Sequence, residues 1–164
     1  MLDGGLPKWQ AEGHEVEDMP PIPRDRHITV SRQNQLVRDV TQVANASKLA
    51  QAEIIDARAA PRFRGEVAEP RPGLRSGHIP GSKNVPYASV LTEAGTMRDA
   101  TALRTVFEAA GVDLKKPVIT TCGSGITAAV LSLALERMGH RNHALYDGSW
   151  AEWGMYDDLP VEKG

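Results

Sequence analysis

The only cysteine of this 164-residue chain, Cys122, lies in a sequence that can support thiol chemistry. It follows a β-branched stretch at 118–121 and precedes Gly-Ser-Gly and an apolar segment, which predicts a strand, a tight loop and a helix. Such a loop directs several backbone N–H groups and the positive end of a helix dipole towards one point. A thiol held there is expected to lose its proton more readily than a free thiol, and the thiolate is the nucleophile. Lone cysteines are often inert core residues, but an inert residue needs no such loop, and Cys122 is therefore the candidate nucleophile.

The composition excludes several classes of function. Hydrophobic residues make up 41% and charged residues 24% of the chain, and the net charge of −2 gives no reason to expect binding to nucleic acid or a membrane. No apolar run approaches the roughly 18 residues of a membrane helix, and the N-terminus lacks the layout of a secretory signal. A single cysteine excludes an internal disulfide and zinc sites built from several cysteines, so neither a metal nor another cofactor is expected. These features favour a reducing, cytoplasmic location.

Strand and helix patterns alternate along the chain and predict an α/β fold with a mainly parallel sheet and helices on both faces. Strands are predicted at 27–30, 54–56, 84–86, 118–121 and 143–146. Helices are predicted within 34–50, with an interruption and possible cap at 45–47, and at 100–110, 125–138 and 148–153. Sites in such folds lie at the carboxyl ends of strands. Cys122 follows one strand, and the long Arg-, Pro- and Gly-rich loop at 58–76 should open on the same edge.

Four motifs, in this order, resemble the rhodanese-type sulfurtransferases, and within them the C-terminal catalytic domain of the 3-mercaptopyruvate sulfurtransferases. They are Asp-Ala-Arg at 56–58 with Arg-Phe at 62–63, Glu-Pro-Arg-Pro-Gly at 69–73 with Gly-His-Ile-Pro-Gly-Ser at 77–82, Cys-Gly-Ser-Gly-Ile-Thr at 122–127, and Tyr-Asp-Gly-Ser-Trp-Ala-Glu-Trp-Gly at 146–154. The resemblance covers nearly all of 27–164. It implies a single rhodanese-like α/β domain with a central sheet of about five strands.

The resemblance also implies a reaction. The Cys122 thiolate takes a sulfane sulfur from 3-mercaptopyruvate or thiosulfate and carries it as a persulfide. The backbone N–H groups of the following loop hold the negative charge of that persulfide. The loop consists of Gly123, Ser124, Gly125, Ile126 and Thr127. Because the chain has no second cysteine, the acceptor must be another molecule: a small thiol, cyanide or a thioredoxin-like protein.

Two arginines match the substrate-binding arginines of that family, namely Arg62 and Arg71. A guanidinium fork suits the carboxylate of an α-keto acid. Thiosulfate enzymes of the family carry positive side chains directly after the cysteine, whereas this chain has the uncharged Gly123 and Ser124, which favours 3-mercaptopyruvate. Ser124 could donate a hydrogen bond to the donor or persulfide sulfur, or it could only shape the turn.

Other polar and aromatic residues of the motifs are interpreted as structural. His78 is expected to fix a turn by a hydrogen bond, and Asp56 to order the loop by an ion pair with Arg58. Trp150 and Trp153 are expected to be core or packing residues.

Residues 1–26 differ from the rest of the chain because they are acidic and then proline-dense, as linkers are. The segments 3–9 and 147–153 share an Asp, a Gly and a Trp at equal spacing, which suggests an internal repeat. We therefore interpret 1–26 as the tail of a preceding, truncated rhodanese-like domain plus a linker, and 27–164 as the catalytic domain. The absent N-terminal domain is then an expected partner of the site.

Three alternative functions fit parts of this sequence. A related cysteine phosphatase needs an arginine at the sixth position after the cysteine, where this chain has Ala128. Non-catalytic interaction modules of the family generally lack the cysteine, so the retained Cys122 argues against that alternative. A sulfur-carrier module would keep the cysteine and take the persulfide from a partner. A thiosulfate-specific sulfurtransferase differs from the favoured interpretation only in its donor.

Overall fold

A computed structural model describes residues 2–31 and 33–164, and within them one sheet of five strands. The strand order is β1-β5-β4-β2-β3, and every neighbouring pair is parallel. The strands are β1 (Val37–Arg38), β2 (Glu53–Asp56), β3 (Lys83–Asn84), β4 (Val118–Thr121) and β5 (His143–Tyr146). The predicted parallel α/β sheet is therefore confirmed.

The helices lie between and beyond the strands. They are α1 (Gly5–Ala11), α2 (Val40–Leu49), α3 (Ala60–Phe63), α4 (Ala100–Ala109), α5 (Ile126–Arg137) and α6 (Ser149–Trp153), with 3-10 turns at Asn34–Leu36 and Tyr87–Val90. Two of them begin at aspartates that bond to free N–H groups of the first turn. Asp39 accepts from the N–H of Gln42 at 2.8 Å, and Asp99 accepts from that of Ala102 at 2.9 Å.

Each face of the sheet is covered by helices, as predicted. On one face Ile55 and Val118 belong to a cluster with Phe107 of α4 and Leu131 of α5. On the other face Ile54 belongs to a cluster with residues of α2 and α6, among them Val43, Trp150 and Trp153. Both tryptophans are buried, which confirms them as core residues. Because both faces are covered, every residue of the central strands β2 and β4 is buried.

Three local predictions were wrong or displaced. Residues 27–30 form no strand: Ile28 and Val30 are 79% and 83% exposed, and the first strand starts at Val37. A β-branched run without a neighbouring strand has no partner for its backbone. The predicted interruption at 45–47 is also absent, since α2 runs through it and the Ser47 hydroxyl donates to the carbonyl of Pro80 instead of capping. The strand predicted at 84–86 ends at Asn84, because Pro86 has no N–H for the ladder.

The N-terminal segment 2–31 contains α1, none of whose residues is buried. Asp3 attaches it to the rest of the chain by accepting a hydrogen bond from the N–H of Met97 at 2.9 Å. Met1 and Arg32 fall outside the described residues, and the division of the chain at 26/27 stays a prediction. No helix in 2–31 or 33–164 is both long and apolar enough to cross a bilayer.

Candidate functional site

Cys122 lies at the carboxyl end of β4, immediately before the loop that leads into α5. The residue is 1% exposed and lines a pocket of 330 Å³. Loops after two parallel strands meet there, as expected from the sequence. Residues 62–74 come from the loop after β2, and residues 122–127 from the loop after β4.

The start of α6 holds the backbone of this cysteine loop by hydrogen bonds. The N–H of Trp150 donates to the carbonyl of Cys122, and that of Ala151 donates to the carbonyl of Gly123, both at 2.9 Å. The Ser149 hydroxyl accepts from the N–H of Cys122 at 3.1 Å and donates to the carbonyl of Tyr146 at 2.8 Å. The N–H of Cys122 is therefore already bonded and is not one of the N–H groups available to hold a persulfide.

The N–H groups after Cys122 remain available. In the part of the chain that the structure describes, none of those at 123–128 donates to another group of the protein. They stand at the first turn of the 12-residue helix α5, where the helix dipole adds positive potential. An anion at the mouth of this loop would meet several free donors, which is the arrangement a persulfide needs.

One glycine of the loop is required by its surroundings, and a second leaves room for a neighbouring side chain. Gly125 has a φ of +83°, and a Cβ there would lie 2.9 Å from the carbonyl oxygen of Asp147. A Cβ at Gly123 would lie 2.9 Å from Nη2 of Arg62, so this guanidinium rests directly against the loop backbone. Gly125 is thus required for the turn, and Gly123 lets the Arg62 guanidinium approach the loop backbone.

Arg58 is the centre of a buried ion network behind the pocket. Its Nε lies 3.0 and 3.1 Å from the two carboxylate oxygens of Asp56, and its Nη2 lies 2.7 Å from Oδ2. The same side chain donates to Glu69 and to the carbonyl of Gly77, and its guanidinium carbon lies 4.5 Å from the ring centroid of Trp150. The predicted pairing of Asp56 with Arg58 is confirmed, and Arg58 is a structural residue.

Arg62 faces the pocket and is held there by Glu69. Its Nε donates to Oε1 of Glu69 at 3.2 Å, and its Nη2 donates to Oε2. Hydrogen bonding to this carboxylate raises the pKa of the Arg62 guanidinium above its ordinary value, and partial burial opposes the rise only in part. Arg62 therefore presents a fixed positive charge beside Cys122 and Gly123.

Glu69 is the residue that the sequence interpretation missed. Its side chain is 1% exposed, and its carboxylate pairs with both Arg58 and Arg62. The only signal in the sequence is its place in Glu-Pro-Arg-Pro-Gly, between the two candidate arginines. That position does not reveal that the side chain turns inward.

The five arginines of the loop at 58–76 differ in burial and in their bonding partners. Arg64 pairs with Glu66 at the surface, and Arg75 donates to carbonyls of the C-terminal segment, among them that of Leu159 at 2.8 Å. Besides Arg62, only Arg71 lines the pocket, and it is exposed and makes no ion pair within the described residues. The structure thus places the two candidate substrate arginines, Arg62 and Arg71, at the cysteine.

The remaining candidate residues fall as follows. Gly123, Ser124, Ile126 and Thr127 line the pocket, and Gly125 is buried. His78 Nδ1 lies 2.8 Å from the carbonyl oxygen of Phe63, which confirms its expected hydrogen bond. Ala128 is fully buried in the core, so its position offers no group to clamp a phosphate. Across 2–31 and 33–164, no cluster of His, Cys, Asp and Glu is arranged to hold a metal ion.

Comparison with known proteins yields consistent similarities. Residues 39–156 match the family described as the Rhodanese-like domain. The chain is 45% identical over 162 residues to the 3-mercaptopyruvate sulfurtransferase of Escherichia coli K12, covering 99% of this chain and 57% of that protein. It is 40% identical to the thiosulfate sulfurtransferase of Bos taurus, covering 93% and 52%. The crystal structure of SseA, a 3-mercaptopyruvate sulfotransferase of Escherichia coli, superposes with a TM-score of 0.79 at 41% identity, over 91% of this chain and 55% of that one. The chain therefore spans about half the length of the curated relatives it matches.

Proposed function

This chain belongs to the rhodanese family, and we propose that it is a sulfurtransferase that moves a sulfane sulfur through a persulfide on Cys122. One observation carries the proposal. The cysteine lies at the base of a pocket where free N–H groups of a helix start and two arginines converge. The names of the relatives support the same class of reaction.

In the first half-reaction the Cys122 thiolate attacks the sulfur of the donor. With 3-mercaptopyruvate, the bond between carbon 3 and sulfur breaks, its electron pair stays on the carbon, and the thiol proton moves there, which releases pyruvate. With thiosulfate, the S–S bond breaks and sulfite leaves. Either way a new S–S bond forms at Cys122, and the outer sulfur carries the negative charge.

The surrounding residues stabilise these charges. The carboxylate of an α-keto acid would bind Arg71, which makes no ion pair with the residues that the structure describes, with Arg62 beside it. The persulfide would lie against the N–H groups of residues 123–127. Because Gly123 and Ser124 add no cation, we propose 3-mercaptopyruvate as the preferred donor over the thiosulfate dianion.

In the second half-reaction an acceptor removes the outer sulfur. Cyanide would leave as thiocyanate, and a thiolate, including that of a thioredoxin-like protein, would become a persulfide. Each returns Cys122 as a thiolate, so no net oxidant is needed. We propose a reducing, cytoplasmic setting, in which such thiols are available.

We also propose that residues 1–26 are the tail of a preceding rhodanese-like domain, which would adjoin this site, plus a linker. The repeated segments support it, since α1 starts two residues after Asp3 and α6 starts two residues after Asp147. The division of the chain and the neighbouring domain are both part of this proposal.

Replacement of the nucleophile tests the function. Cys122→Ser should abolish sulfur transfer to cyanide from either donor, because a hydroxyl cannot form the persulfide. The thermal unfolding midpoint should fall modestly while the fold is kept, because the substitution nearly conserves volume but places a hydroxyl where a buried thiol packed. Initial rates of thiocyanate formation and a melting curve measure both effects. Transfer at the wild-type rate in this variant would exclude the mechanism.

A further inference from the structure

We propose that Arg75 is a positioning residue for donor binding, because it fastens the segment that carries Arg71 to the helix that holds the cysteine loop. The inference rests on the proposed sulfurtransferase function, in which Arg71 binds the carboxylate of the donor, and deepens it. Arg75 does not line the pocket and touches no donor. It acts through the place that Arg71 occupies relative to Cys122.

The stretch that carries Arg71 has little support of its own. Arg71 is exposed, and its side chain forms no hydrogen bond or ion pair with the residues that the structure describes. Across 70–74, no backbone N–H or carbonyl is hydrogen-bonded to another described residue. Gly73, at a φ of +82°, adds a position with wide backbone freedom. The place of Arg71 therefore depends on what holds the two ends of this stretch.

Both ends of the stretch are held by residues that flank it. On one side is Glu69, whose buried carboxylate pairs with two arginines of the same loop. On the other side is Arg75. Its backbone N–H donates to the carbonyl of Gly154 at 3.2 Å, and its carbonyl accepts from the ring N–H of Trp150 at 2.8 Å. The second end is thus held entirely by α6 and the residue that follows it.

The guanidinium of Arg75 strengthens this attachment through all three of its nitrogens. Nη1 donates to the carbonyl of Leu159 at 2.8 Å, and Nε donates to that of Gly154 at 3.4 Å. Nη2 donates to the carbonyls of Trp153, at 3.1 Å, and of Tyr156. A cation is favourable at the C-terminal end of a helix and can bond the last carbonyls there. One side chain therefore fastens the arginine loop at 58–76 to the end of α6.

The other end of α6 holds the nucleophile. The backbone N–H of Trp150 donates to the carbonyl of Cys122 at 2.9 Å, while its ring N–H bonds to Arg75. This five-residue helix is therefore a short link between the arginine loop and the cysteine loop. Through it, Arg75 keeps Arg71 at a fixed separation from Cys122. Only a short carbon chain joins the carboxylate of 3-mercaptopyruvate to its sulfur, so a shift of the carboxylate anchor misplaces the reacting atom.

The two half-reactions separate a positioning role from a structural one. In a mechanism with a persulfide intermediate, kcat/KM for the donor reports the first half-reaction and kcat/KM for cyanide reports the second. Arg75→Gln should lower kcat/KM for 3-mercaptopyruvate about tenfold, because Arg71 is no longer held in place. It should leave kcat/KM for cyanide within about twofold of the wild type, because cyanide has no carboxylate for Arg71 to bind.

A double-mutant cycle tests whether Arg75 acts through Arg71. In an Arg71→Gln background, Arg75→Gln should lower kcat/KM for the donor by less than about twofold further, because an anchor that is absent cannot be displaced. Two independent effects would multiply instead and would overturn the proposal. Arg64→Gln is the matched control. It removes the same charge from the same loop, but Arg64 pairs with Glu66 at the surface, so both half-reactions should equal those of the wild type.

Different outcomes identify different failures. If Arg75→Gln lowers kcat/KM for donor and for cyanide by the same factor, Arg75 is structural only and the proposal is wrong. If Arg75→Gln does not fold, Arg75→Lys provides the test. Lysine keeps the charge but offers one nitrogen in place of three, so kcat/KM for the donor should fall about threefold, and an unchanged value would overturn the proposal. Wild-type protein that forms no persulfide from either donor would refute the underlying function before any variant is compared.

Discussion

Ser149 stabilises the cysteine loop from the neighbouring strand end. It has a φ of +50°, an uncommon conformation for a residue with a side chain, and it is fully buried. Its hydroxyl joins the N–H of Cys122 to the carbonyl of Tyr146. A strained residue that satisfies two buried backbone groups is expected where a loop must be held in one geometry.

Removal of this hydroxyl should therefore affect both stability and rate. Ser149→Ala leaves the buried N–H of Cys122 without a partner, which should cost about 1–3 kcal/mol. Sulfur transfer should slow as well, because Cys122 would shift relative to the loop. Urea unfolding and steady-state kinetics measure the two effects.

Ser132→Ala is the matched control. The Ser132 hydroxyl lies 2.9 Å from the Thr120 hydroxyl. Thr120 belongs to β4, the strand that precedes the cysteine loop, and does not line the pocket. The substitution should cost about 1–3 kcal/mol as well, because it leaves the buried Thr120 hydroxyl without this partner, and it should leave the kinetics unchanged. If the two variants gave the same kinetics, Ser149 would have no positioning role.

At the residue scale, the sequence predicted contacts between near neighbours better than contacts between distant ones. Asp56 and Arg58 are two residues apart, so their ion pair follows from local chemistry. Ser149 is 27 residues from Cys122, and Glu69 is 11 residues from Arg58. No periodicity links such positions, so only the fold shows that they touch.

Among the elements, α5 contributes most to the site because its first turn supplies the free N–H groups. A glycine in the left-handed region lies beside each end of this helix: Gly125 at φ +83° and Gly139 at φ +80°. Their surroundings differ. A Cβ at Gly125 would collide with Asp147, whereas one at Gly139 would meet nothing within 4 Å.

Alanine variants of these two glycines distinguish the effect of backbone strain on stability from the effect of a distorted site on activity. Both Gly125→Ala and Gly139→Ala should destabilise the fold by roughly 1–2 kcal/mol through left-handed strain. Gly125→Ala should cost more, because of the close contact, and should strongly reduce sulfur transfer. Gly139→Ala should keep wild-type kinetics. Thermal unfolding and initial rates test this, and equal kinetic losses in both variants would contradict it.

At the element scale, buried strands and the helix α4 with its Asp99 cap were predictable, whereas the Asp39 cap of α2 and the short exposed segments were not. The strands at 118–121 and 143–146 are confirmed, and α4 begins after the predicted cap Asp99. The strand expected at 27–30 fails because its residues have no partner. The interruption expected in α2 fails because burial of Val43 and Ala46 stabilises the helix through 45–47. Tertiary packing thus decides what local propensity leaves open.

At the scale of the whole molecule, the parallel sheet explains why one pocket collects all the chemistry. β2 and β4 are neighbours, so the arginine loop and the cysteine loop leave the sheet at the same edge. The N-terminal segment contributes none of the residues that line this pocket.

The central claim is that Cys122 carries the transferred sulfur, and intact mass tests it most directly. The purified chain is incubated with 3-mercaptopyruvate, and separately with thiosulfate, and its intact mass is measured by mass spectrometry before any reductant is added. The account predicts a gain of one sulfur atom with 3-mercaptopyruvate, less gain with thiosulfate, and none in Cys122→Ser. No gain from either donor, or an equal gain in Cys122→Ser, would contradict it.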